Sequence, residues 1–166
     1  MKKLLCLLVC ALLTLGACAL AEGGQLPLAA SLEAYLPSVG HPFTASDEDG
    51  DGYNDTFMIS FDDGQGTTIE AWCQCFDGIA RVICDMGAVG ADAGAETVCQ
   101  VVNVLNAINA DAAFVRFILD TNDGGIIARM ELPVLGDEDL GYVVERCMLA
   151  AASAVDDSYN ALAALA

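Results

Sequence analysis

The sequence runs to 166 residues, the length of a single domain that can bury a core without staples. Its 24 acidic residues face only six basic ones, for a formal charge of −18. Such a surface repels phosphate backbones and anionic lipid, so nucleic acid is excluded as a natural partner, while cations, basic proteins and solubility are favoured.

The charge is more lopsided than the total shows. Both lysines sit at positions 2 and 3, ahead of the apolar run "LLCLLVCALLTLGACALA". A basic start, an apolar stretch and then small residues are the layout of a bacterial secretion signal, and the run is short for a membrane span. Two exits are readable. Ala19-Leu20-Ala21 before Glu22 suits signal peptidase and is the favoured one. Leu15-Gly16-Ala17-Cys18 reads as a lipobox, ending the signal at residue 17 and leaving Cys18 as the lipidated first residue. Either exit makes the protein extracytoplasmic, secreted or a cell-envelope lipoprotein, with a Cys18 anchor as its one route to a membrane. Residues 22–166 then form one domain with four arginines against 24 acids, a formal charge of −20.

In chain order, "LPLAASLEAYL" (26–36) reads as a short amphipathic helix with Leu28, Leu32, Tyr35 and Leu36 on one face, ended by Pro37 and Gly40. An acidic loop follows. Phe57, Ile59 and Phe61 alternate with Thr56, Met58 and Ser60 as a half-buried strand, and "DDGQG" turns the chain. "TTIEAWCQCF" is the next strand, and Asp77-Gly78 makes a tight hairpin into "IARVICDM". A two-residue turn sets Phe76 opposite Ile79 and Ala71 opposite Cys84. One face then carries Ala71, Cys73, Cys75, Ala80, Val82 and Cys84, small and apolar as under helices. The other carries Trp72, Gln74, Phe76, Arg81, Ile83 and Asp85.

From Asp92 to Asn109 the period is helical, with Val98, Val101, Val102, Leu105 and Ile108 as the buried stripe. "AAFVRFILD" is a strand with Ala113, Val115, Phe117 and Leu119 on one face. "TNDGG" turns into "IIARMEL", which is broken by Pro133 and Gly136. "DEDLGYVVERCMLAAASAVDDSYNALAALA" is a long helix with acids in its first turn and Leu140, Val144, Cys147, Ala151, Val155 and Leu162 as core positions. The order α-β-β-β-α-β-β-α predicts an α+β fold: a five-stranded, largely antiparallel sheet with helices packed on one face.

The stretch "VVNVLNAINADAAFVRFILDTNDGGIIARMELPV", with a last helix ending "DDSYNALAALA", resembles the YbjN-like domains. The resemblance rests on Asn103, Asn106 and Asn109 at a helix end, a strand with Phe117 and Leu119 closing at Asp120, the Asn122-Asp123-Gly124 turn, Leu132-Pro133 and Tyr159. It covers 26–166, best over 95–165. These domains are labelled sensory-transduction regulators and share the type III secretion chaperone-like fold. The resemblance therefore implies that fold, a protein partner or a homodimer, and no catalytic residues. The chain departs from cytoplasmic secretion chaperones in its export signal.

Four groups of residues carry candidate chemistry. Asp47, Asp49, Asp51, Tyr53 and Asp55 fall at positions 1, 3, 5, 7 and 9 of a calcium loop, with Gly52 at the turn. Position 12 is Met58, and Pro42 stands where a helix should enter, so this is not an EF-hand. A calcium site there requires a carboxylate from Asp62, Asp63 or another segment. The other reading is a solvated acidic turn. Cys73, Cys75 and Cys84 share a core face, with Cys99 and Cys147 on the covering helices; buried thiols, one disulfide and a metal site all remain open. His41, the one histidine, has no nucleophile motif to serve. Trp72 and Phe76, opposite the cysteines, form a candidate partner surface unless the first helix covers them. The composite expectation is an exported, non-enzymatic protein-binding or regulatory module without a required cofactor, the alternative being weak calcium binding by the 47–55 loop.

Overall fold

A computed structural model describes residues 24–62, 68–89, 93–134 and 140–163. The signal segment with Cys18, Asp63, Gly136 and the acids at 137–139 lie outside the described residues.

Helix α1 (Pro27–Tyr35) runs into a 3-10 turn (Leu36–Ser38). Strands β1 (Phe43–Ser46), β2 (Thr56–Asp62), β3 (Thr68–Phe76) and β4 (Ile79–Ala88) follow. Helix α2 (Ala95–Asp111), strands β5 (Arg116–Leu119) and β6 (Gly125–Pro133), and helix α3 (Leu140–Ala163) complete the order. The sheet is ordered β1-β2-β3-β4-β6-β5, and every pair is antiparallel. No helix among the described residues is long and apolar enough to cross a membrane.

The α+β architecture matches expectation, with one strand more. Phe43–Ser46 lies in the predicted loop but pairs with β2 in the register Phe43↔Ile59 to Ser46↔Thr56. Its first residue is half-buried and the next three are exposed. A four-residue edge strand of that kind offers no alternating apolar pattern to read. Its consequence is functional: the acidic stretch 47–55 is the connection of a hairpin, held at both ends by strands.

The Asp77-Gly78 hairpin has the expected register, Phe76↔Ile79 through Ala71↔Cys84, with Gly78 at φ 72°. Phe57, Ile59, Ala71, Cys73, Cys75, Ala80, Val82, Cys84, Ala128 and Met130 are buried on one sheet face. Helix α3 lies across β3, β4 and β6; α1 packs on α3; α2 packs on β5. All three helices cover the cysteine face. Burial of the small residues Ala71, Ala80 and Ala128 there lets α3 approach the sheet closely.

Helix stripes were narrower than the sequence suggests. Val101 and Leu105 are buried in α2 and Val98 and Ile108 half-buried, but Val102 is exposed, because α2 meets only the sheet edge and the flank of α3. Ala113 is exposed ahead of β5, where the chain has not yet joined the sheet. In α3, Met148 is fully buried and Cys147 only half-buried, so the core stripe is turned slightly from the predicted one.

Candidate functional site

The second face of the sheet carries the side chains that alternate with the core. Trp72 on β3 stands between Met58 of β2 and Ile83 of β4, and Ile83 stands opposite Arg129 of β6, itself opposite Arg116 of β5. Among the described residues no helix lies over this row. The first helix, which could have hidden Trp72 and Phe76, packs on α3 instead. Trp72 is half-buried by its strand neighbours, while Phe76 and Ile79, paired at the sheet end, are 43% and 42% exposed. The Arg81 guanidinium lies 4.9 Å from the Phe76 ring centroid. Arg81 Nε also reaches Glu131 at 3.0 Å, and Arg129 binds the same carboxylate oxygen. Arg129 first, then Arg81, hold the Glu131 carboxyl below its ordinary range.

This face therefore joins both predicted surface residues with others that the sequence reading did not assemble. Met58, Ile118 and Ile127 belong to it by strand parity, as do Arg116 and Arg129, which join the Arg81 already expected there. Parity alone could have found them once β6 was paired with β4.

The acidic hairpin loop is built from its own carboxylates. Asp47 accepts the Gly50 and Gly52 N–H groups at 2.6 and 2.8 Å. The Gly52 amide, more than any other neighbour, draws the Asp47 carboxyl below its ordinary value. Glu48 N–H donates to Asp55 at 3.2 Å, and Asp55 is anchored by backbone bonds to Ser46 and Cys75. Asn54, at the loop position usually apolar, donates to Glu33 of α1 at 2.9 Å. Oxygens of Asp47, Asp49 and Asp55 all lie within 4.8 Å of one another. Asp51 stands outside that trio and instead accepts the Tyr53 N–H at 2.9 Å. Asp62 cannot complete a set. It ends the strand that leads away from the loop, roughly 20 Å on at the usual rise per residue. Met58 points to the open sheet face, opposite Trp72. Asp49, Asp51, Tyr53, Phe76 and Asp77 line a groove of ≈ 460 Å³ between this loop and the end of β3.

Cys73, Cys75, Cys84, Cys99 and Cys147 are all free thiols. Burial pushes Cys84 up to about 12. Cys73 is raised too, chiefly by its hydrogen bond with Cys75 and then by burial. These groups remain protonated and act as small apolar core residues. His41 Nε2 lies 3.8 Å from Glu145 of α3, a residue only 4% exposed, and its ring meets Phe61 edge-on at 5.1 Å. It ties the segment before β1 to the long helix.

No protein-family model matches the chain, and no curated protein matches it by sequence. Solved structures do resemble it. YbjN from E. coli, a candidate transcription regulator, superposes with a TM-score of 0.53 at 15% identity, covering 78% of this chain and 89% of YbjN. The chain has a YbjN-like, secretion-chaperone-like fold. The ExsC–ExsE complex supplies a second neighbour, with a TM-score of 0.50 at 16% identity, covering 84% of this chain and 97% of that one. At such identities the likeness is one of fold.

Proposed function

We propose that this chain is an exported, non-enzymatic protein-binding module of the YbjN-like type, with the open sheet face as its contact surface. The observation that carries this reading is the half-buried row around Trp72, with the exposed Phe76 and Ile79 beside it, on a sheet whose three described helices all lie on the opposite side. Large aromatic and aliphatic groups bordered by arginines are the composition of an interface centre rather than of an ordinary wet surface. The ExsC–ExsE neighbour, a complex of two proteins, supports a binding role for the fold. The protonated core thiols and the engagement of His41 with Glu145 and Phe61 speak against nucleophilic chemistry. The signal-like layout of the first 21 residues supports export. The reading is tested by affinity capture from the envelope and medium of the parent cell, using the protein and its Trp72→Ala variant. A partner retained by the first and lost by the second supports it; an identical set captured by both removes the open face from the account.

A second reading has its own observation, the convergence of Asp47, Asp49 and Asp55. Three carboxylates on a hairpin loop suit a calcium site of the extracellular kind, with affinities of about 10⁻⁴–10⁻³ M. Binding must raise the melting temperature by mass action. No shift and no binding heat at millimolar calcium would end this reading.

A further inference from the structure

The groove between the acidic hairpin loop and the end of β3 has an aromatic ring on each side. The loop side brings Tyr53 with Asp49 and Asp51, and the strand side brings Phe76 with Asp77. Leu26, just ahead of α1, adds an aliphatic side chain to the lining. Tyr53 and Phe76 are 44% and 43% exposed, large for rings with no partner to cover them. The volume of ≈ 460 Å³ falls within the range of about 300–1,000 Å³ over which proteins hold small organic ligands. The apolar walls set the groove apart from a patch of surface carboxylates.

The two sides are held in place before any ligand arrives. Asp47 fixes the loop through the Gly50 and Gly52 amides, Asn54 ties it to Glu33 of α1, and the Asp55 backbone ties it to Ser46 and Cys75. Asp49 accepts the Asp51 N–H at 3.1 Å and Asp51 the Tyr53 N–H at 2.9 Å, each through Oδ1, which orients both carboxylates. A groove so pre-organised binds without a further ordering cost. The Phe76 ring already takes a cation, the Arg81 guanidinium at 4.9 Å from its centroid, within the reach of a cation–π contact.

We propose that this groove binds a linear polyamine, with its ammonium groups against the carboxylates of the two sides and its methylene segments against Tyr53, Phe76 and Leu26. The site is separate from the open sheet face and does not depend on the reading of that face. Charge excludes anionic ligands, because 24 acids outnumber the basic residues fourfold and concentrate cations around the molecule. Shape then selects among cations. Carboxylates on both sides of an apolar gap suit a chain charged at both ends and aliphatic between. A ligand with one ammonium leaves one side unpaired. Calcium gathers oxygens at 2.3–2.6 Å, so it leaves both rings idle, and Asp77 stands outside the trio of Asp47, Asp49 and Asp55.

The experiment is calorimetric titration of the purified protein with spermidine at about 0.15 M salt, where general attraction between exposed charges is screened beyond about 8 Å. One spermidine per chain is the expected result. Tyr53→Ala should raise the dissociation constant by about threefold to thirtyfold, the range of a cation–π contact, while Tyr53→Phe, which keeps the ring, should leave it unchanged. Asp77→Asn should weaken binding as well, and the hairpin survives that change because Asn-Gly is itself a favoured two-residue turn. Circular dichroism confirms that each variant is folded. n-Butylamine, with a single ammonium, should bind more weakly than spermidine. No binding at millimolar spermidine overturns the proposal. Equal affinity in the wild type, Tyr53→Ala and Asp77→Asn overturns it too, since the heat is then general attraction to an acidic surface. So does n-butylamine that matches spermidine, or a tetralysine peptide that displaces it at lower concentration, which would make the groove a peptide site.

Discussion

Asn109, near the end of α2, holds Phe117 of β5 by both ends of its amide: Nδ2 donates to the Phe117 carbonyl at 2.9 Å, and Oδ1 accepts the Phe117 N–H at 2.8 Å. One side chain thus does for an outer strand what a neighbouring strand would do, and it closes part of an edge that would otherwise be open to pairing. Replacing Asn109 with Ala leaves both backbone groups without their partner. The expected loss is about 1–3 kcal/mol, read as a lower urea midpoint at unchanged slope.

Gly141 reverses the usual rule for a helical glycine. An added Cβ would stand 2.6 Å from Tyr35 Cβ and 2.9 Å from the Ser31 carbonyl oxygen of α1, while its N–H already donates to Ser31 Oγ at 2.9 Å. Gly→Ala inside a helix ordinarily stabilises by about 1 kcal/mol. Here Gly141→Ala must push α1 away from α3, and overpacking of this kind costs roughly 1–3 kcal/mol. Thermal melting of the variant should therefore fall below the wild type, and a rise would show that α1 yields without cost.

The sequence and structure part company at recognisable places. The Asp77-Gly78 turn and the period-2 pattern around it made the central hairpin legible to the single residue, because a one-residue slip would have exposed Cys73, Val82 and Cys84 together. Phe43–Ser46 was not legible, since a strand with one half-buried side chain carries no period. Gly141 looked like any glycine in a helix, because its constraint comes from Ser31 and Tyr35, more than a hundred residues away. The calcium-like spacing of 47–55 was visible, but not that Asn54 would be spent on Glu33. Trp72 and Phe76 were readable as one face; the arginines of β5 and β6 joined them only through the pairing of distant strands.

The thiols should report the core by their reactivity. Thiolate is the nucleophile, so a raised value suppresses alkylation. Exposed Cys99 should label first with iodoacetamide at pH 8, Cys147 more slowly, and Cys73, Cys75 and Cys84 only on unfolding. The pH dependence follows with a definite sign. Cys84 ionises near 9.0 in the unfolded chain and near about 12 in the folded one, so its contribution is whole below pH 9 and is lost as pH rises between those values. Stability measured from pH 8 to 11 should fall, and Cys84→Ala should lessen that slope even while lowering stability at pH 8 through the cavity it leaves.

Asp47 works in the opposite direction. Its folded value lies below 3.8, so what it contributes is present above pH 3.8 and is lost as pH falls through the folded value. The amide shifts of Gly50 and Gly52 should titrate together below pH 3.8, and Asp47→Asn should abolish that titration. Titration at or above the ordinary value would mean that the two amide bonds do not hold the carboxylate.

Trp72 is the only tryptophan in the chain, so its fluorescence reports on the open sheet face without labelling. As the proposed contact surface, this face should leave Trp72 open to substantial acrylamide quenching in dilute protein, and quenching should drop, with a blue-shifted emission, when a captured partner is bound. An association detected by sedimentation that leaves both quenching and emission unchanged would place the contact elsewhere on the molecule and contradict the account.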